Sequence, residues 1–220
     1  MRPPNAKAAI SDALGVVAER RTYSNLIYIL LAFPLGMVYY LLMSLGFIIG
    51  LGLTLFLVGI VVLLGTVLGV RPLASFERWL ANALLGLGLS APGDVDGAGG
   101  GSVGTTLRRY LDAPSTWRGL GFVFIKPLVG IVAVVLFVVP AFALSLVVAP
   151  LRYPYEAEFV TVGDEPIVWT IGTLPEAALA TLIGASVTVA FLHLVNGYAY
   201  VCARIAEALL GEPKPVVSRP

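Results

Sequence analysis

The 220-residue chain is 58% hydrophobic and 12% charged, with a mean hydropathy of +0.93. Soluble domains carry about 25% charged residues, so a water-facing globule is excluded and most of the chain is expected to be solvated by lipid. A net charge of +1 provides no basic footprint for nucleic acid, and the single cysteine, Cys202, provides neither a disulfide nor a zinc cluster.

In chain order, residues 1–21 form a cytoplasmic N-terminal segment in which Ile10, Leu14 and Val17 suggest a short helix over 6–20. Residues 22–70 then carry no Asp, Glu, Lys or Arg. As one helix they would measure about 74 Å, over twice the ~30 Å hydrocarbon core. The run must fold back, and the reversal is expected where Gly46, Gly50 and Gly52 cluster, giving spans over 24–45 and 49–70. Gly46 with Gly50 and Gly65 with Gly69 are also small pairs four apart that permit close helix approach, within the chain sooner than at a dimer face. The apolar run is too long for a cleaved signal, so the first span is read as retained. Leu73, Phe76, Trp79, Leu80, Ala83, Leu84 and Leu87 recur at helical spacing opposite Arg71, Ser75, Arg78 and Asn82. After the second span, this pattern predicts an amphipathic helix lying on the cytoplasmic face or packed under the bundle. Residues 91–104 hold six glycines and read as a flexible linker.

A third span is predicted over 120–149, interrupted only by Lys126, and a fourth over 174–203. Thr173, Pro175 and Glu176 form a capping box at the start of the fourth. Between them, in the loop 150–172, residues 156–162 and 167–171 predict a small β-hairpin turning at 163–166. A lone hairpin is marginal, so this one is expected to lean on the helix ends through Tyr153, Tyr155 or Trp169. Residues 212–220 form a tail. Of the lysines and arginines outside the spans, twelve fall before the first span, between the second and third, or after the fourth; the far-side connections hold only Arg152. Both termini and the central segment are therefore expected to be cytoplasmic.

The two halves, 22–90 and 105–211, share motifs. Arg21-Thr22-Tyr23 precedes Pro34-Leu35-Gly36 much as Thr116-Trp117-Arg118 precedes Pro127-Leu128-Val129-Gly130. Ala81-Asn82-Ala83-Leu84-Leu85-Gly86 is echoed by Ala206-Glu207-Ala208-Leu209-Leu210-Gly211. The fold expected is thus an all-α integral membrane protein of four transmembrane helices, arranged as two tandem, parallel two-helix repeats, with cytoplasmic amphipathic helices and an extracytoplasmic β-hairpin.

Candidates for chemistry are few. Lys126 is a charge inside a span, functional by default, although its stem can snorkel to the cytoplasmic headgroups and that is the expectation; a partner or an anionic lipid is the alternative. His193 and Asn196 share a helix face with Thr181, Ser186 and Thr188, either as a proton-responsive or ligand-contacting surface or, more simply, as interhelical hydrogen bonding. Tyr155 and Trp169 are candidates in the hairpin. Cys202 reads as a buried apolar thiol, with palmitoylation as the alternative. The sequence has no phosphate-binding loop, dinucleotide fingerprint or nucleophile elbow. The predicted spans also contain no Asp or Glu beyond Glu176 at the mouth of the fourth. No catalytic, cofactor or metal residue is assigned.

Phe33-Pro34-Leu35-Gly36, the Gly50-Leu51-Gly52-Leu53-Thr54-Leu55 run, Gly59-Ile60, Glu77-Arg78 and Pro114-Ser115-Thr116-Trp117-Arg118 occur in an order and spacing that extends over roughly 23–211. In this the chain resembles the sensor-domain family of bacterial and archaeal membrane proteins, although Val61 stands where the family pattern has proline. Members are often fused ahead of histidine kinases, so the resemblance implies signal input across the cell membrane. The chain ends nine residues after Gly211, so an output module is expected as a separate cytoplasmic protein. The expected function is a non-enzymatic sensor in the bilayer, possible as a homo-oligomer, with a small permease or channel component or a structural subunit as the alternatives.

Overall fold

The computed structural model describes residues 15–95, 102–162 and 165–212. Most of the N-terminal helix expected over 6–20, the middle of the linker, the tip of the hairpin turn and nearly all of the tail lie outside them. Four helices carry the fold: α1 (Arg20–Gly52), α2 (Val58–Leu85), α4 (Pro114–Val147) and α6 (Leu174–Leu210), with short helices α3 (Val103–Asp112) and α5 (Ala149–Arg152) beside α4. Each of the four is long and apolar enough to cross a membrane. At 37 residues α6 is about 55 Å long, well beyond a hydrocarbon core of ~30 Å.

Two of the expected boundaries move. The reversal between α1 and α2 falls at a 3₁₀ turn, Thr54–Phe56, and not at Gly46. Gly46 and Gly50 are helical, and they serve close approach instead of a turn. A methyl group at Gly46 would strike the Thr66 side chain, and one at Gly50 would sit 2.6 Å from Leu63. The turn itself is made by Leu57, which takes a left-handed φ of 58°.

The second correction concerns the amphipathic helix expected after the second span. In the structure α2 runs unbroken from Val58 through Pro72 to Leu85. Its buried side is Val70, Ala74, Glu77, Leu80, Ala81 and Leu85, while Phe76 and Trp79 are exposed and stacked on one another with centroids 5.8 Å apart.

The chain divides into two compact units. The first comprises residues 1–23 and 134–197. Its hairpin pairs β1 (Tyr155–Val162) with β2 (Glu165–Ile171) in antiparallel register, with a bulge between Glu158 and Val160. As expected, the hairpin leans on helix ends: Tyr155 and Trp169 pack against a core of Leu146, Ala149, Ala157, Ile171, Ala177 and Ala180. Tyr155 donates its hydroxyl to the Ser145 carbonyl at 3.0 Å. The capping box forms too, with Glu176 Oε2 accepting the backbone N–H groups of Gly172 and Thr173 at 2.9 and 3.1 Å.

The second unit comprises residues 24–133 and 198–220. Here α1 and α4 cross at glycines. A methyl at Gly36 would lie 2.8 Å from Pro127 Cα, and one at Gly130 would lie 2.7 Å from Phe33 Cα. The contacts are reciprocal, since each glycine meets the residue three before the other. Polar ties hold the helix ends of the unit. Arg71 donates to Ser115 Oγ at 3.1 Å and Thr116 Oγ1 at 2.7 Å, and Arg118 donates to the carbonyls of Ala208 and Gly211 at 2.6 Å.

Candidate functional site: a buried ion pair

Lys126, on α4, and Glu77, on α2, form a salt bridge of 2.7 Å whose side chains are 1% and 0% exposed. The expected snorkelling is overturned: the ammonium points into protein. Glu77 lies beyond the predicted second span, 49–70, in the stretch through which α2 continues as one helix.

Two tyrosines of α1 complete the site. Tyr39 donates its hydroxyl to Glu77 Oε1 at 2.9 Å, so both carboxylate oxygens are engaged. Lys126 Nζ donates to the Tyr28 hydroxyl at 3.3 Å and sits 4.4 Å from the centroid of the Tyr28 ring and 5.6 Å from that of Phe122. An uncompensated charge buried at such a site costs several kcal/mol or more. Here the opposite charge, two hydroxyls and two aromatic faces compensate it. Among the described residues, no buried side-chain nitrogen or oxygen lacks a hydrogen-bond partner.

Local sequence places these groups. Val70, Ala74, Glu77 and Ala81 follow one another at four, three and four residues, one face of a helix. Small residues on that face let α2 come close enough for its single carboxylate to reach Lys126. Tyr39 is part of the adjoining core, with Met43, Val70 and Val123, which fixes the ring that carries the hydroxyl. Tyr39 and Tyr28 were not among the residues singled out from sequence, and Glu77 figured there only in the family-like pair Glu77-Arg78. The available signal was the phase of Glu77, a lone acid in register with buried small residues.

The other candidates lie elsewhere. His193 is exposed on α6, while Asn196 is half-buried and donates to Thr22 Oγ1 at 3.0 Å. Thr181, Ser186 and Thr188 each donate to the carbonyl four residues earlier in their own helix. Tyr155 and Trp169 serve the hairpin core described above. Cys202 is buried. Among the described residues, no three His, Cys, Asp or Glu side chains come together as a metal site.

The chain belongs to the family described as Putative sensor, which it matches over residues 28–210, a stretch that takes in all four residues of the site. No curated protein and no solved structure matches it.

Proposed function

We propose that the protein is a non-enzymatic membrane sensor whose Lys126–Glu77 pair is the element with two states, and that it relays its state to a separate cytoplasmic partner. The observation that carries this is a fully buried ion pair joined by three helices within one unit: Tyr28 and Tyr39 from α1, Glu77 from α2 and Lys126 from α4. A buried pair is a poor source of stability, because apolar residues of similar volume hold a core as well or better. It does make helix packing two-valued: the charges are either paired at full contact or must find other partners. A stimulus that binds one packing better shifts the balance by its differential affinity.

Membership of the sensor family and four membrane-capable helices support the reading. The lysine and arginine count supports cytoplasmic termini and a cytoplasmic α2–α4 connection in the cell membrane. The reciprocal crossing at Gly36 and Gly130, together with the repeated motifs, supports descent of both halves from one two-helix unit. Labelling of single cysteines placed before α1, in 105–113 and at the tail tests the same-side orientation.

The deciding experiment is affinity capture of the tagged protein from native membranes in mild detergent, with mass spectrometry of what accompanies it. Recovery of a kinase or transcription regulator supports the relay. An ATPase or other transport subunits would shift the reading to a permease component. A constitutive partner indifferent to Glu77 and Lys126 would make it a structural subunit, and self-association alone would turn attention to a homo-oligomer.

A further inference from the structure

We infer that a groove between α1 and α4 takes one acyl chain of a bilayer phospholipid, and that this chain is what the buried ion pair senses. The groove encloses about 380 Å³, and its lining includes Phe33, Met37, Tyr40, Phe124 and Leu128, with Tyr39 against its inner side. From Phe33 to Met43 it follows ten residues of α1, about 15 Å, so a stretch of extended hydrocarbon chain can lie along it. The named lining residues are apolar or aromatic, and the hydroxyl of Tyr39 is turned away onto Glu77. A ligand with a polar body would lose its hydrogen bonds there. Phe33, Met37, Tyr40, Phe124 and Leu128 are all exposed on the outer surface of the two helices. A chain still attached to its headgroup can therefore slide in sideways from the bilayer, which favours a phospholipid over a free fatty acid.

Tyr39 joins groove and pair. Its residue lines the groove, while its hydroxyl holds Glu77 Oε1 at 2.9 Å. A chain packed in the groove tightens the packing of the ring that bonds Glu77, and a misfilled groove loosens it. Chain length, unsaturation and branching would then bias the Lys126–Glu77 packing. This sensing step rests on the function proposed above, whereas occupancy of the groove does not.

The test is photolabelling of the full-length protein in phosphatidylcholine vesicles doped with a phosphatidylcholine that carries a diazirine midway along one chain. Labelled peptides are then mapped with and without excess unlabelled lipid. Labelling concentrated on 33–43 and 123–131, competed by unlabelled lipid and lost in Leu128→Trp, which fills the groove with apolar bulk, is the expected result. Labelling that merely follows exposure, equal on Leu30, Leu179 and Leu182 and unchanged in Leu128→Trp, would overturn the site while leaving the ion-pair sensor standing. In the second arm, Leu128→Trp and Tyr39→Phe are each compared with wild type for thermal stability in vesicles of saturated and of unsaturated lipid. A chain-dependent shift in wild type that both variants lose supports the coupling. A shift that Tyr39→Phe retains would overturn the coupling while leaving the groove occupied. If the groove labels as expected and no output partner is captured, the relay fails and the lipid site remains.

Discussion

Lys126 Nζ lies 2.7 Å from Glu77 Oε2 in a site closed to solvent, and the two residues stand 49 positions apart, on different helices. Removing either partner strands the other. Glu77→Ala or Lys126→Ala is expected to cost about 3–5 kcal/mol, whereas Glu77→Met with Lys126→Leu is expected to be near neutral or stabilising. Thermal melts of the purified single and double variants check this, and additive losses in the double variant would show that the pair is not coupled. The double variant is also the useful one for function, since it should fold and yet fix one packing.

The two tyrosines should differ. Tyr39→Phe removes a charge-assisted hydrogen bond of 2.9 Å to Glu77 and should cost about 1.5–3 kcal/mol. Tyr28→Phe removes a longer contact of 3.3 Å but keeps the ring beneath the ammonium, so about 1 kcal/mol or less is expected. Equal losses in chemical or thermal unfolding would contradict the geometry.

Glycine substitutions should sort by what surrounds them. A methyl at Gly36 or Gly130 meets backbone at 2.8 and 2.7 Å, where nothing flexible can yield, while Gly65 and Gly69 have open space within 4 Å. Alanine at either of the first two is expected to cost about 1–3 kcal/mol. At the latter two the expected change is within about 0.5 kcal/mol, or slightly stabilising from helix propensity. Four single variants compared by melting temperature check the ranking.

Replacing residues 156–171 with a short glycine–serine loop should leave membrane insertion intact, because the four long helices do not depend on the hairpin for their apolarity. It uncovers Leu146, Ala149, Ala177 and Ala180 and should abolish the response of any captured partner. A variant that inserts and still responds fully would remove the hairpin from the sensing path.

The capping box and the hairpin were legible because both are short-range patterns. Thr173 and Glu176 are three residues apart, and the two strands are neighbours in sequence joined by turn residues. The α1–α2 reversal was not legible, because Gly46 and Gly50 are compatible with either a turn or a close helix contact. Only the position of Thr66 and Leu63 on the returning helix selects the contact. The second span was expected to end at Val70, yet the helix continues through Pro72, since packing on Val70, Ala74 and Ala81 outweighs one lost backbone hydrogen bond.

What the amino-acid order determined alone was the solvent of the chain and the count of its long helices. Both follow from summed hydropathy and length, which need no knowledge of neighbours. Lys126 was visible as an anomaly for the same reason: a charge in an apolar run costs free energy wherever the run is placed. Its partner was not visible. Whether a lysine snorkels or pairs depends on what surrounds its nitrogen, and Glu77, Tyr28 and Tyr39, which build that site, come from 49, 98 and 87 residues away. Only the packing of small residues between α2 and its neighbours brings them there.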